Sequence, residues 1–194
     1  MTGPDGGSAR AWTMRPWHVG LLAGIAGLMG LFYVGLWGNP SYIPPVIVNT
    51  AAPDFTAPEL YQGAPISLGQ FKGKVVMLNF WASWCQECKL EHASLLAINE
   101  RFSKNPNFVM LGVNYQDKED LAKAYLAAQG NNFQHVRDEK GTISIDYGIY
   151  GVPETFVIDP SGIIRHKSIG PIIGKNYTHL IENVLPALLA GGAP

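Results

Sequence analysis

Two stretches of the chain are almost continuously apolar, KVVMLNFWA (Lys74–Ala82) and FVMLGVNY (Phe108–Tyr115). Apolar runs of this length, without polar alternation, predict strands buried on both faces. Between them Cys88, Leu95, Ile98 and Phe102 recur at helical spacing, so a helix is expected to start at the two cysteines. DKEDLAKAYLAAQG (Asp117–Gly130) predicts a second helix, with Asp117 as its N-cap and Gly130 as its stop. A strand near Phe133–Arg137 and a short helical turn near Ile143–Tyr147 follow. ETFVID (Glu154–Asp159), the turn Pro160-Ser161-Gly162 and IIRHKSIG (Ile163–Gly170) predict an antiparallel hairpin. Leu180, Ile181, Val184, Leu185, Leu188 and Leu189 form the apolar stripe of a last helix, which Pro186 should kink or shorten. PISLGQFKGK, ahead of the first buried strand, has the turn chemistry of a hairpin-like lead-in. The principal order is βαβα followed by ββα, which implies an α/β domain with a mixed central sheet and helices on both faces.

The N-terminal pattern is different. WHVGLLAGIAGLMGLFYVGLWG (Trp17–Gly38) holds no Lys, Arg, Asp or Glu. As a helix it would be about 33 Å long, enough for a hydrocarbon core of about 30 Å. Trp12, Trp17, Tyr33 and Trp37 lie near its ends, where amphipathic rings favour the interface. Arg10 and Arg15 precede it, and the next Lys or Arg is Lys72. This bias places residues 1–16 in the cytoplasm, an anchor at 17–38, a linker at 39–51 and a domain at 52–190 outside the cytoplasm. A cleaved signal peptide is the competing reading; the apolar run is long for one and no small-x-small cleavage site follows it. The proline-rich NPSYIPP (Asn39–Pro45) would act as a stiff spacer.

Composition narrows the choices. The chain has 194 residues, 47% hydrophobic and 15% charged, with a formal net charge of −1. It contains no basic cluster, so nucleic acid is not an expected partner. Its two cysteines cannot build a disulfide-dense scaffold, and the fold must rest on its core.

Those two cysteines carry the chemistry. In WASWCQEC (Trp81–Cys88) a buried strand runs directly into a helix. Cys85 therefore falls at the first helical turn, where free backbone N–H groups and the helix dipole favour a thiolate. Cys88, one turn on, points more toward the sheet. Such asymmetry suits dithiol exchange, in which Cys85 attacks a substrate disulfide and Cys88 resolves the mixed disulfide. A structural staple over so short a loop would add little. Cys85, Cys88 and His92 could supply three zinc ligands, but a fourth is missing. Haem attachment normally needs C-x-x-C-H, and Lys89 stands where the histidine would be.

WASWCxxC followed by GIYGVPETFVIDPSGIIRHKSIG resembles the membrane-anchored, thioredoxin-like thiol:disulfide interchange proteins of the DsbE/CcmG type, related to the TlpA/ResA proteins. The likeness spans roughly residues 52–185 and includes CQECKLEHASL, with Glu91 and His92, and GVNYQDKED. It implies a thioredoxin-like fold and a periplasmic domain on the inner membrane. It implies reduction of apocytochrome c disulfides, so that C-x-x-C-H thiols can take haem, and re-reduction by a membrane thiol reductase. No cofactor is implied beyond the Cys85–Cys88 disulfide.

On the same template Pro153 matches a cis-proline packed on the cysteines, and Val152 offers backbone to a substrate strand. An ordinary trans proline opening a strand is the alternative. Glu154 matches an acidic residue that would disfavour the thiolate and exchange its proton; the alternative is a solvated glutamate at a strand end. Gln86 and Glu87 occupy the tuning positions, and the charge of Glu87 should make the couple more reducing. Trp84 would shield the sulfurs and offer a contact surface, or be a partly buried aromatic. Tyr147 and Tyr150 flank a turn and line either a substrate groove or the core; Tyr150 is the candidate for substrate contact. His135, His166 and His179 are scattered and expected on the solvated surface. Ala93 replaces a helix proline of many thioredoxins.

Two other functions compete. A disulfide-forming oxidase would need a strongly stabilised thiolate, against which Glu87 and Glu154 argue. A copper-delivery protein on this fold usually spaces its cysteines by three residues, not two.

Overall fold

The computed structural model describes residues 16–37 and 48–192. The proposed tail with Arg10, Trp12 and Arg15, and the spacer Asn39–Pro45, lie outside the described residues. The chain divides into two units, residues 1–44 and 45–194.

The first unit contributes helix α1 (Pro16–Trp37). It is long and apolar enough to cross a membrane by length and composition.

The second unit opens with Asn49, whose N–H donates to the Ile164 carbonyl at 2.7 Å. A two-stranded ribbon follows, β1 (Thr56–Pro58) against β2 (Pro65–Ser67), antiparallel as the lead-in pattern suggested. A 3₁₀ turn at Leu68–Phe71 leads to β3 (Val75–Trp81), in which every residue is buried. Then come α2 (Gln86–Phe102), β4 (Phe108–Tyr115), α3 (Glu119–Gln129), β5 (Gln134–Asp138), α4 (Thr142–Asp146), β6 (Glu154–Ile158) and β7 (Ile164–Ile169). The main sheet has the order β5-β4-β3-β6-β7. β3 pairs in parallel with β4, and β4 with β5, while β6 and β7 run antiparallel to their neighbours. This is the mixed sheet expected, and β3 lies at its centre.

Alternate residues of β3 feed two cores. Val76, Leu78 and Phe80 pack with Leu111, Val113, Phe156 and Tyr147 on one face. Val75 and Met77 pack with Leu95 and Ile98 of α2 and with Leu180, Val184 and Leu185 on the other. The sheet is thus covered on both sides, which explains the unbroken apolar runs.

Three expectations change. Asp117 does not cap α3, which begins at Glu119 with Lys118 in the cap position; the carboxylate of Asp117 is taken by Ser83 instead. Pro186 does not end the last helix, which runs on past it in a changed winding. α5 (Gly174–His179) passes into a π-helical turn at Leu180–Val184 before α6 (Leu185–Leu189), with Pro186 in the first turn of α6. The wider turn sits where the proline, lacking an N–H, cannot donate to the preceding helix.

The third change is His135, which is buried rather than solvated. It accepts from Trp81 Nε1 at 3.0 Å through Nδ1, and its Nε2 lies 3.0 Å from Asn131 Oδ1. Gly112 of β4 makes the room: a Cβ there would stand 2.9 Å from Trp81 Nε1 and closer still to the His135 ring. Burial, with the charge of His92 adding to it, pushes the His135 imidazole down to about 3, so it is neutral. His166 is half-buried, its Nε2 is 2.9 Å from Ser168 Oγ, and its ring lies 5.6 Å from that of His179.

Candidate active site

The end of the central strand β3 delivers the chain to the N-terminus of α2, and Cys85 occupies the cap position with extended backbone (φ −81°, ψ 117°). Its sulfur takes the place of the usual capping oxygen, accepting the Cys88 N–H at 3.0 Å. A disulfide joins Cys85 to Cys88, whose Cα atoms are 5.3 Å apart. Both residues are nearly buried, Cys85 at 5% exposure and Cys88 at 3%. A helix N-terminus around a sulfur stabilises the thiolate that opening of the disulfide would create.

The loop before β6 closes the site. The Val152–Pro153 peptide is cis. The Val152 carbonyl oxygen lies 3.3 Å from Cys85 Sγ, within reach of a thiol proton once the disulfide is reduced. Pro153 is buried, and Val152 packs against the buried cluster that holds both cysteines. Tyr150 projects outward at 77% exposure. Tyr147 is entirely buried among Phe55, Phe80 and Phe156 and donates to the Pro53 carbonyl at 2.9 Å, which places it in the core.

Trp84 is 55% exposed beside Cys85, and its Nε1 donates to the Gln116 carbonyl at 3.3 Å. The loop that carries it is pinned by Asp117. One carboxylate oxygen accepts from Ser83 N–H at 2.6 Å and Asn114 Nδ2 at 3.1 Å; the other accepts from Ser83 Oγ at 2.9 Å and Lys118 N–H at 2.8 Å. Gln86 and Glu87 are exposed on the first turn of α2.

Glu154 is not a solvated strand-end residue. Its side chain is 1% exposed, one oxygen accepts the Tyr150 N–H at 3.0 Å, and the other lies 2.8 Å from Lys167 Nζ. That last contact is an ion pair by distance but lacks the alignment of a hydrogen bond.

A second carboxylate stands behind the cysteines. Glu91, one turn beyond Cys88 on α2, is fully buried. It accepts from Asn79 Nδ2 at 2.8 Å and from Ile172 N–H at 2.7 Å. Burial outweighs these two hydrogen bonds and pushes its carboxyl up to about 7. The i, i+3 spacing from Cys88 marks Glu91 as inward-facing, a signal available in the sequence. His92 is buried too, with Nε2 2.9 Å from the Gly130 carbonyl. Among the described residues no three His, Cys, Asp or Glu side chains gather as a metal site would require.

A cysteine pair at the head of α2, facing a cis-proline loop from the same mixed sheet, defines a thioredoxin-like dithiol oxidoreductase. Residues 48–167 match the family model of the AhpC/TSA proteins. The thiol:disulfide interchange protein DsbE of Allochromatium vinosum is 35% identical over 169 residues, covering 86% of this chain and 91% of that one. HelX of Rhodobacter capsulatus, also a thiol:disulfide interchange protein, is 33% identical over 172 residues, covering 87% and 93%. A DsbE-type crystal structure from Chlorobium tepidum superposes with a TM-score of 0.65 at 30% identity, covering 71% of this chain and 95% of that one. The chain belongs to the DsbE family of thiol:disulfide interchange proteins within this thioredoxin-like class.

Proposed function

We propose that this protein is a periplasmic dithiol reductant of cytochrome c maturation, held on the inner membrane by α1. The observation that carries the chemistry is the Cys85 sulfur in the cap of α2, 3.0 Å from the Cys88 N–H and 3.3 Å from the Val152 carbonyl oxygen. The apolar helix, with Arg10 and Arg15 before it and Lys72 the next basic residue, supports the anchored orientation.

In this reading the Cys85 thiolate attacks one sulfur of an apocytochrome C-x-x-C-H disulfide. The Cys85–substrate bond forms, the substrate S–S bond breaks, and the departing sulfur takes a proton. Cys88, deprotonated, then attacks Cys85, releasing the second substrate thiolate, which is protonated in turn. Two electrons pass to the substrate, and the enzyme is left with the Cys85–Cys88 disulfide. A membrane thiol reductase returns two electrons by the reverse exchange. The substrate strand lies along the Val152–Pro153 edge, with exposed Trp84 and Tyr150 offering it contact surface. Exposed Glu87 next to Cys85 disfavours its thiolate and makes the couple more reducing, as a reductant requires.

The test is a trap. With Cys88→Ala the mixed disulfide cannot be resolved, so a disulfide-linked adduct to oxidised apocytochrome c should accumulate and vanish on reduction. Cys85→Ala should give none. Failure of Cys88→Ala to capture apocytochrome while it captures other secreted disulfide proteins would replace this substrate with a broader one.

A further inference from the structure

Lys167 stands on the edge strand β7, opposite Phe156, yet its side chain is only 5% exposed. Its ammonium lies 2.8 Å from Glu154 Oε2, 5.1 Å from the centre of the Phe156 ring and 5.9 Å from that of Tyr150. Among the described residues its one hydrogen bond is a 3.4 Å approach to the Gly148 carbonyl. Burial of a lysine is costly unless an opposite charge meets it, and such a pair adds little over an apolar replacement of equal volume. Stability therefore gives no reason for an ion pair at this position. Its location does: Glu154 follows the cis Val152–Pro153 peptide, whose carbonyl touches Cys85, and it holds the Tyr150 N–H.

We propose that Lys167 is a positioning residue of the thiol–disulfide exchange, whose charge cancels that of Glu154 and so sets the electrostatic environment of the Cys85–Cys88 pair. Without Lys167, the charge of Glu154 would stand unmatched two residues beyond Val152, whose carbonyl touches Cys85, and would disfavour the Cys85 thiolate. The reduced form would lose stability relative to the disulfide, and the couple would become more reducing. The pair thus limits how far the acidic loop drives the potential down. This inference rests on the exchange activity of the cysteines and not on which disulfide protein is the substrate.

The experiment is the equilibrium between the full-length protein, in detergent micelles, and a defined dithiol buffer. Lys167→Met is expected to shift the equilibrium constant by roughly fivefold or more toward the disulfide, equal to about 20 mV. Lys167→Arg should stay near the wild-type value. Glu154→Gln/Lys167→Met, which keeps an acceptor for Tyr150 and removes both charges, should return to within about twofold of it. A wild-type constant in Lys167→Met would overturn the proposal. So would an equal shift in the single and double variants, which would show lost packing rather than an unmatched charge. If Lys167→Met does not fold, the double variant and Lys167→Arg decide, and a shift in the double variant refutes the proposal. No cytochrome enters this measurement, so its outcome is separate from that of the trapping test.

Discussion

Glu91 offers a test in which sign and size both follow from geometry. Its carboxyl is fully buried behind the cysteines, accepts from Asn79 and Ile172, and is pushed up to about 7 by burial. The ordinary value is 4.5, so the neutral acid is the form the folded protein favours. Below pH 4.5 Glu91 is neutral in both folded and unfolded chains, and the group takes nothing from stability. As pH rises toward 7 the unfolded chain ionises while the folded one holds its proton, and stability falls. The loss amounts to about 3 kcal/mol by pH 8, taking 1.36 kcal/mol per pKa unit. Glu91→Gln mimics the neutral acid at every pH.

Urea denaturation of the oxidised protein, followed by tryptophan fluorescence, should therefore give nearly equal stabilities for the two proteins at pH 4.5. The variant should be the more stable by about 2–3 kcal/mol at pH 8, less any cost of turning its amide against the Ile172 N–H. His135 and Asp159, which are also strongly shifted, titrate alike in both and cancel in the difference. The disulfide removes the cysteine thiols from the comparison. A difference that does not change with pH, or that favours the wild type more as pH rises, would refute the reasoning.

Gly112→Ala places a methyl against Trp81 and His135 inside the sheet and should cost about 3 kcal/mol or more, read as a fall in Tm without new activity. Asp117→Ala frees Ser83 and the loop bearing Trp84. It should raise amide exchange at Ser83 and Trp84 and cost about 1–3 kcal/mol, while global exchange in β3 falls by no more than that same amount. His135→Gln should flatten the acid limb: wild-type stability is lost as pH falls below about 6.5, where the unfolded imidazole takes a proton that the buried one refuses, and the variant lacks that slope.

The strands, the hairpin and the helix start at the cysteines were legible because each has a local signature. β3 and β4 are apolar at nearly every position, as two covered faces demand. Cys85 could be placed at a helix start because a buried strand must turn there. Side-chain partners were not legible, because they join residues far apart in the chain. Asp117 looked like a helix cap, the ordinary use of an aspartate before a helical pattern; only the return of β4 beside β3 brings Ser83 to it. His135 carries no local sign of burial, since its pocket depends on Gly112 of the neighbouring strand lacking a side chain. Glu154 was legible as acidic but not as paired, because Lys167 reaches it across the β6–β7 ladder. Glu91 could have been recognised from its spacing, yet its effect on stability needed the surrounding burial.

The central claim is that the Cys85–Cys88 pair works as a reductant, and its reduction potential tests that most directly. Equilibration of the protein with defined thiol buffers, followed by quantification of free thiols, should give a value near or below about −270 mV, the range of thioredoxin. A value near about −120 mV, the range of a disulfide-forming oxidant, would contradict it.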